Sequence, residues 1–330
     1  MQAMRCFFAP MEGITGALFR RTHRRFFPGV DRYFMPFLSP SQHHVFTRRE
    51  LRDILPEQDE DLDAVPQLLT RSGVDFLWAA GELARMGYRE VNLNLGCPSG
   101  TVVSKHKGAG FLERPDSLDR FLDEVCTGLS QMGMELSIKT RLGMTSPDEF
   151  PGLLEIYNRY PIKELVLHPR IRTDYYKNTP NMDAFYSGFH GSRAPVCYNG
   201  DIFTISDYET LCGEYPELDR VMLGRGIISN PGLLDWIGVE AGSGNAKNNK
   251  ETLRQFHQMV YEGYREIMSG DRNVLFKMKE LWACMIQIFS DNGKYIKKIK
   301  KSQRLEEYEA AVAAVFRDLD ILEGAGFRTY

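Results

Sequence analysis

Eight short apolar runs recur at intervals of roughly 25–30 residues, the length of one strand–helix unit. They fall at Arg5–Ala9, Tyr33–Phe37, Val65–Thr70, Glu90–Leu95, Leu136–Thr140, Glu164–His168, Pro195–Tyr198 and Arg220–Leu223. Segments with helical periodicity, such as Val74–Met86 and Ser117–Leu129, lie between them. Eight strands alternating with helices predict an α/β chain closed as a (β/α)8 TIM barrel. A doubly wound open sheet fits less well, because the pattern never switches.

After Trp236 the character changes. The stretch "GVEAGSGNAKNNKE", residues 238–251, is small, polar and Gly-rich and reads as a linker. Beyond it only helical stripes remain: Leu253, Phe256, Val260, Tyr264 and Ile267, then Leu275, Met278, Leu281, Trp282, Met285 and Phe289, then Leu305, Tyr308, Val312, Val315 and Leu319. The predicted organisation is a barrel over 1–240, a linker over 241–250 and a small all-α helical bundle over 251–330. A net charge of −3 excludes a chain that is basic overall but leaves room for a local basic patch. The six cysteines form no CxxC pair, so neither a metal site nor a disulfide framework is expected. Neither a signal peptide nor a membrane span is evident, and a soluble cytoplasmic monomer is the expectation.

Polar residues at the C-terminal ends of barrel strands face the active-site mouth. Here the runs end in "APMEG", "PQLLT", "NLNLGCPS", "IKTRLG", "LHPR", "YNGDI" and "LGRGIISNPG". Seven of eight strands deliver polar, charged or Gly-rich chemistry to one rim, so Asn92 and Asn94 belong to a strand beside a polar cavity. "NGD" at 199–201 and "GRG" at 224–226 precede helix-like segments and suit a phosphate, with Arg225 as a forked donor. Lys139 and Arg141, two apart on one strand, point the same way into the barrel. Cations there need an electron-rich partner, and a flavin fits. No GxGxxG opens a helix after a strand, so a Rossmann-bound dinucleotide is not expected.

Cys97 stands at the rim between Gly and Pro, where a thiol can act as acid or nucleophile; the other cysteines read as small buried hydrophobes. His168 reads equally as a general acid, a phosphate contact or a cap on a carbonyl. His43 and His44 are read as surface residues of a solvated helix.

The segments "APMEGIT…FR", "VNLNLGCPSGTVVSKHKGAGFL", "IKTRLG", "NGDI" and "LGRG", in this order, resemble the tRNA-dihydrouridine synthases. The resemblance covers most of the chain, including the C-terminal helices, which it implies bind tRNA. It implies FMN contacts at Pro10, Met11, Glu12, Gln67, Lys139, His168, Asn199, Gly200, Asp201, Gly224 and Arg225. Cys97 falls on the family's proton donor, and Asn94 and Arg141 on positions near the target base. Two positions depart from the pattern: Pro169 after His168 and Thr70 after "QLL", where glycine is usual.

The implied reaction is reduction of uridine to dihydrouridine. The hydride passes from FMN N5 to C6 and the proton from Cys97 to C5, with NADPH as electron donor in a separate half-reaction. Two other readings compete: a small-molecule flavin reductase of the dihydropyrimidine or dihydroorotate dehydrogenase class, and a non-catalytic RNA-binding barrel. The run "KYIKKIKKSQR", residues 294–304, holds six positive side chains and no negative one. Its Lys297, Lys298, Lys300 and Lys301 are the expected RNA phosphate contacts.

Overall fold

The computed structural model describes residues 4–59, 61–240, 250–322 and 324–328. Nine parallel strands form one sheet: β1 Arg5–Phe8, β2 Arg32–Phe34, β3 Ala64–Val65, β4 Gln67–Leu68, β5 Glu90–Leu95, β6 Glu135–Gly143, β7 Ile162–Ile171, β8 Val196–Tyr198 and β9 Arg220–Leu223. Its order, β3-β2-β1-β9-β8-β7-β6-β5-β4, puts β3 and β4 at opposite ends. Those two are one stretch of chain interrupted by Pro66, so the ends meet and the sheet closes as a barrel. Pro66 has no N–H to give the ladder, whereas its carbonyl accepts from the Asn92 N–H at 2.9 Å. The eight apolar runs thus become eight strand positions, the third of them broken at proline.

The chain gathers into two compact units. The first takes in the chain up to Pro10, residues 32–200 and residues 218–222. Phe7, Ala9, Phe34, Val65, Val166, Cys197 and Met222 pack together as a buried apolar centre. At or near the starts of the strands, Arg32 pairs with Glu90 at 3.0 Å, Lys163 with Glu90 at 2.9 Å and Arg220 with Glu164 at 3.1 Å. That end of a barrel carries stability, which leaves the strand C-termini for chemistry.

Outside the strands, the helix Gly73–Arg85 starts behind Ser72, whose hydroxyl accepts from the Asp75 N–H at 3.2 Å. The helix Pro115–Met132 opens on proline and stops at Gly133, whose φ of 65° is the left-handed conformation of a helix end. Phe76 and Phe121 join the two helices edge-on at 5.7 Å. His43 and His44 do not sit on a helix. They lie in a turn before the helix Arg48–Ile54, where His44, at φ 52°, reaches Asp75 at 3.1 Å and stacks on Trp78 at 5.0 Å. The hydrogen bond to Asp75 and the indole face account for that departure.

The second unit comprises residues 11–31, residues 201–217 and the chain from 223 onward. Its helices include Ala17–Phe26, Ile205–Glu214, Lys250–Ile267, Asp271–Met285, Gly293–Lys301 and Leu305–Asp318. The predicted stripes are its interior: Leu253, Phe256, Val260, Met278, Trp282, Tyr308 and Val315 are all buried. Phe256 is met edge-on by Phe19 at 5.6 Å and by Phe27 at 5.5 Å. Ile267, last of its stripe, is 47% exposed at the helix end. The linker expected over 241–250 lies outside the described residues except for Lys250, which opens a helix. Among the described residues no helix is long and apolar enough to cross a membrane.

Candidate active site

The amides of β5 are joined in a line. Asn94 donates to Gln67 Oε1 at 2.7 Å, Gln67 donates to Asn92 Oδ1 at 2.7 Å, and Asn92 donates to Ser137 Oγ at 2.9 Å. All four are buried. Each side-chain dipole thereby satisfies the next, which is how a barrel strand tolerates two asparagines. Asn94 also works upward: its Oδ1 accepts from the backbone N–H groups of Gly96 and Cys97 at 3.1 and 3.0 Å. The amide line therefore ends as the clamp on the half-buried Cys97.

The loop is backed from the other side by "GAG". Ala109 donates its N–H to Cys97 O at 3.1 Å. A Cβ on Gly108, at φ 56°, would lie 2.9 Å from that same oxygen, and one on Gly110 would meet Val103 O at 2.8 Å. Only glycine permits this approach.

Register places the cations. Lys139 sits opposite Asn94 on one side and Val166 on the other, and Arg141 opposite His168. Val166 belongs to the apolar centre of the barrel, so Lys139, Arg141 and His168 share its inward face. Lys139 has no hydrogen bond and no carboxylate partner among the described residues. Burial, with Arg141 beside it, pulls its pKa down to about 7.

Arg141 is fully buried and bonds three backbone carbonyls: Gly96 at 2.8 Å, Ile171 at 3.0 Å and Tyr175 at 2.9 Å. It ties the Cys97 loop to the segment after β7. The buried Arg170 lies 3.1 Å from His168 Nε2. A guanidinium only donates, so Nε2 accepts and a neutral His168 carries its proton on Nδ1. Pro169 is accommodated where the β6–β7 register slips, between Arg141 and Gly143.

Tyr176 is the residue the sequence reading missed. It is 41% exposed, lies over the Arg141 guanidinium at 5.3 Å and stacks on His168 at 6.0 Å. The only signal was a pair of tyrosines in the loop that follows a rim strand.

The two glycine turns are built differently from each other. Asn199, at the end of β8, is buried and donates to Met222 O at 2.7 Å. The next helix begins at Ile205, not at the turn itself. After β9 the helix Arg225–Ser229 has only five residues. A Cβ on Gly226 would meet Ile202 O at 2.2 Å. Within the second unit, Arg225 pairs with Asp201 at 2.8 Å. After β1, the N–H of the half-buried Met11 donates to Thr15 Oγ1 at 2.9 Å, while Pro10 is half-buried and Glu12 exposed.

The fold is shared with histamine dehydrogenase from Rhizobium sp. 4-9, at a TM-score of 0.55 and 14% identity. That match covers 72% of this chain and 46% of the other, so the chain spans about half the length of that protein. Morphinone reductase matches at a TM-score of 0.50 and 12% identity, over 73% and 87% of the two chains. Fold and rim together define a (β/α)8 barrel with polar and cationic side chains on its inward face. The chain belongs to the dihydrouridine synthase family, whose sequence model matches residues 7–325. Among its relatives, a probable tRNA-dihydrouridine synthase of Staphylococcus aureus (strain COL) is 28% identical over 274 residues, 76% of this chain and 80% of that one. Probable tRNA-dihydrouridine synthase 1 of Synechocystis sp. is 26% identical over 287 residues, 84% and 77% of the two.

Proposed function

We propose that the protein reduces the C5–C6 double bond of specific uridines in tRNA, with FMN as its prosthetic group and NADPH as reductant. Its setting in this reading is the cytoplasm, as a monomer without a metal. The observation that carries the flavin is Lys139: an inward-facing ammonium with no carboxylate beside it suits an electron-rich ring. Gln67 and His168 stand on the same barrel interior, and Asn199, Gly200, Asp201, Gly224 and Arg225 supply the donors that suit the phosphate. Pro10, Met11 and Glu12 complete the residues proposed to hold the group. When bound, FMN supplies the hydride that uracil C6 receives.

The chain's own residues do the rest. Asn94 fixes the Cys97 loop, and the Cys97 thiol gives its proton to C5, after which solvent restores it. Arg141 and Tyr176 stand together at the rim, where a uracil drawn out of its stack can be read by its edge. The barrel over 1–240 is the catalytic part and the helices over 251–330 hold the RNA, with Lys297, Lys298, Lys300 and Lys301 on phosphates.

The test is direct: extract the cofactor from the purified chain, then incubate the protein with NADPH and unmodified tRNA and analyse the nucleosides. FMN and new dihydrouridine are the expected results. FAD in the extract, or reduction of free dihydropyrimidine precursors with none of tRNA, overturns the reading in favour of a small-molecule reductase.

A further inference from the structure

Within the second unit Arg225 has an aromatic setting that the rim motifs did not foretell. Its Cζ lies 5.1 Å from the centre of the Phe203 ring and 4.9 Å from that of Phe327. The two rings are themselves 5.3 Å apart and inclined by 47°. Three nearly equal separations mean that the guanidinium sits in a corner made by two touching rings, not sandwiched between parallel faces. Asp201 takes its Nη2 at 2.8 Å.

One wall of this corner comes from far away in the chain. Phe327 lies two residues beyond the stretch matched by the family, and its path is built. Ser290 donates to Asp320 O at 2.9 Å and Leu322 to Ile288 O at 2.9 Å, and Phe289 and Ile321 pair as an antiparallel bridge. Arg328 N–H then bonds Gln287 Oε1 at 2.6 Å. At Gly326 a Cβ would stand 2.0 Å from Phe203 O, so only glycine lets the tail lie against that carbonyl. Phe203 is itself fixed, since its N–H donates to Asp207 Oδ2 at 2.9 Å in the cap of the helix Ile205–Glu214.

We propose that Phe327 is a positioning residue for the cofactor phosphate: the C-terminal segment closes an aromatic corner that holds the Arg225 guanidinium ready for a phosphate dianion. The inference rests on the reading that Arg225 meets that phosphate. An arginine already held in place loses less rotamer freedom when an anion binds, and the ring faces favour its charge without neutralising it. Aspartate alone would hold the side chain too, but would also lower its net pull on an anion.

The experiment compares FMN with riboflavin, which lacks the phosphate, by titrating the full-length apoprotein and following flavin fluorescence. Phe327→Ala is expected to weaken FMN about 3- to 10-fold, the scale of a lost cation–π contact, and to leave riboflavin unchanged. Phe327→Tyr, which keeps the ring, should restore the parent value. Adding Phe327→Ala to Arg225→Ala should change nothing further, because the group it positions is gone. Equal weakening of both flavins, or of neither, overturns the proposal: the tail is then only a structural strap. If the Phe327→Ala apoprotein melts far below the parent, Phe327→Leu is read by the same comparison. Should Arg225→Ala itself leave the preference for FMN over riboflavin intact, the phosphate assignment falls and the role of Phe327 with it. That result differs from a failure confined to Phe327.

Discussion

Asn94 serves three partners through one carboxamide, and its substitutions separate what each bond does. Asn94→Ala leaves the Gly96 and Cys97 N–H groups and Gln67 Oε1 without their acceptor or donor, at a cost of about 1–3 kcal/mol. A melting point lower by several degrees is expected, with tRNA reduction falling as the Cys97 loop loosens. Asn94→Asp keeps the acceptor for both N–H groups, loses the donor and adds a buried negative charge that Lys139, opposite it in the register, can meet. The amide line can then reverse: Gln67 turns its NH2 towards the new carboxylate, Asn92 turns with it, and Ser137, a hydroxyl, donates where it had accepted. We expect that variant's unfolding free energy to stay within about 1 kcal/mol of the parent's, and equal losses in the two variants would show that the line has no such freedom. Cys97→Ala tests the thiol itself. NADPH-dependent reduction of tRNA should fall by roughly 10²-fold or more, the usual scale for losing a general acid, while flavin content and melting point stay unchanged. Cys97→Ser should lie between them, and parental turnover without the thiol would make Cys97 structural.

At the scale of elements, the helices of the second unit carry a pH dependence of their own. Trp282 on the helix Asp271–Met285 donates its indole N–H to His257 Nε2 at 3.0 Å and to Tyr308 Oη at 2.9 Å, and that hydroxyl lies 2.6 Å from the same Nε2. Indole can only donate, so Nε2 is the acceptor and the ring is neutral. Burial pulls the pKa of His257 down to about 3, and that of His23 likewise. Both folded values lie below the unfolded 6.5, so the unfolded chain takes up the protons first as pH falls. The stabilisation is whole above about pH 6.5 and is lost towards pH 3, at about 1.4 kcal/mol per group per unit. Denaturant titrations between pH 7 and 5 should show it, and His257→Leu should flatten the slope by one group. An unchanged slope would mean that the ring is already charged in the fold. His257 lies within a helix read from the sequence, next to the stripe position Phe256, but the sequence does not say that it is neutral.

The same contrast holds elsewhere. Strand positions were legible because a strand buried on both faces reads as an apolar run, and Lys139 and Arg141 share a face because the period of a strand is two. The break at Pro66 leaves no mark in that pattern, since the run continues through it. Nor does anything near Arg141 announce its bonds to Ile171 and Tyr175, some thirty residues on. Phe327 was invisible for the same reason: its partner Phe203 is brought to it only by the fold.

Charge is the property of the whole molecule that the fold redistributes. The chain carries −3 overall, yet the helix Gly293–Lys301 presents Lys297, Lys298, Lys300 and Lys301 exposed, while Tyr295 and Ile299 are buried on its other side. Three of those lysines stand in the last turn, where the helix dipole favours cations. A solvated basic face would need no more explanation than that. An RNA substrate asks for more, because base contacts in the barrel do not supply the affinity that holds a folded polyanion. Each phosphate engaged adds about 0.7–0.9 to the slope of log affinity against log salt. Changing all four lysines to glutamine should therefore weaken tRNA binding and lower that slope by about 3. Glutamine is preferred to glutamate here, because four acids against the helix C-terminus would cost stability through the dipole and blur the result. NADPH oxidation without RNA, and flavin content, should stay at the parent value. Normal binding and reduction of tRNA by the four-glutamine variant at ~0.15 M salt would leave these lysines solvated and put the RNA on another face.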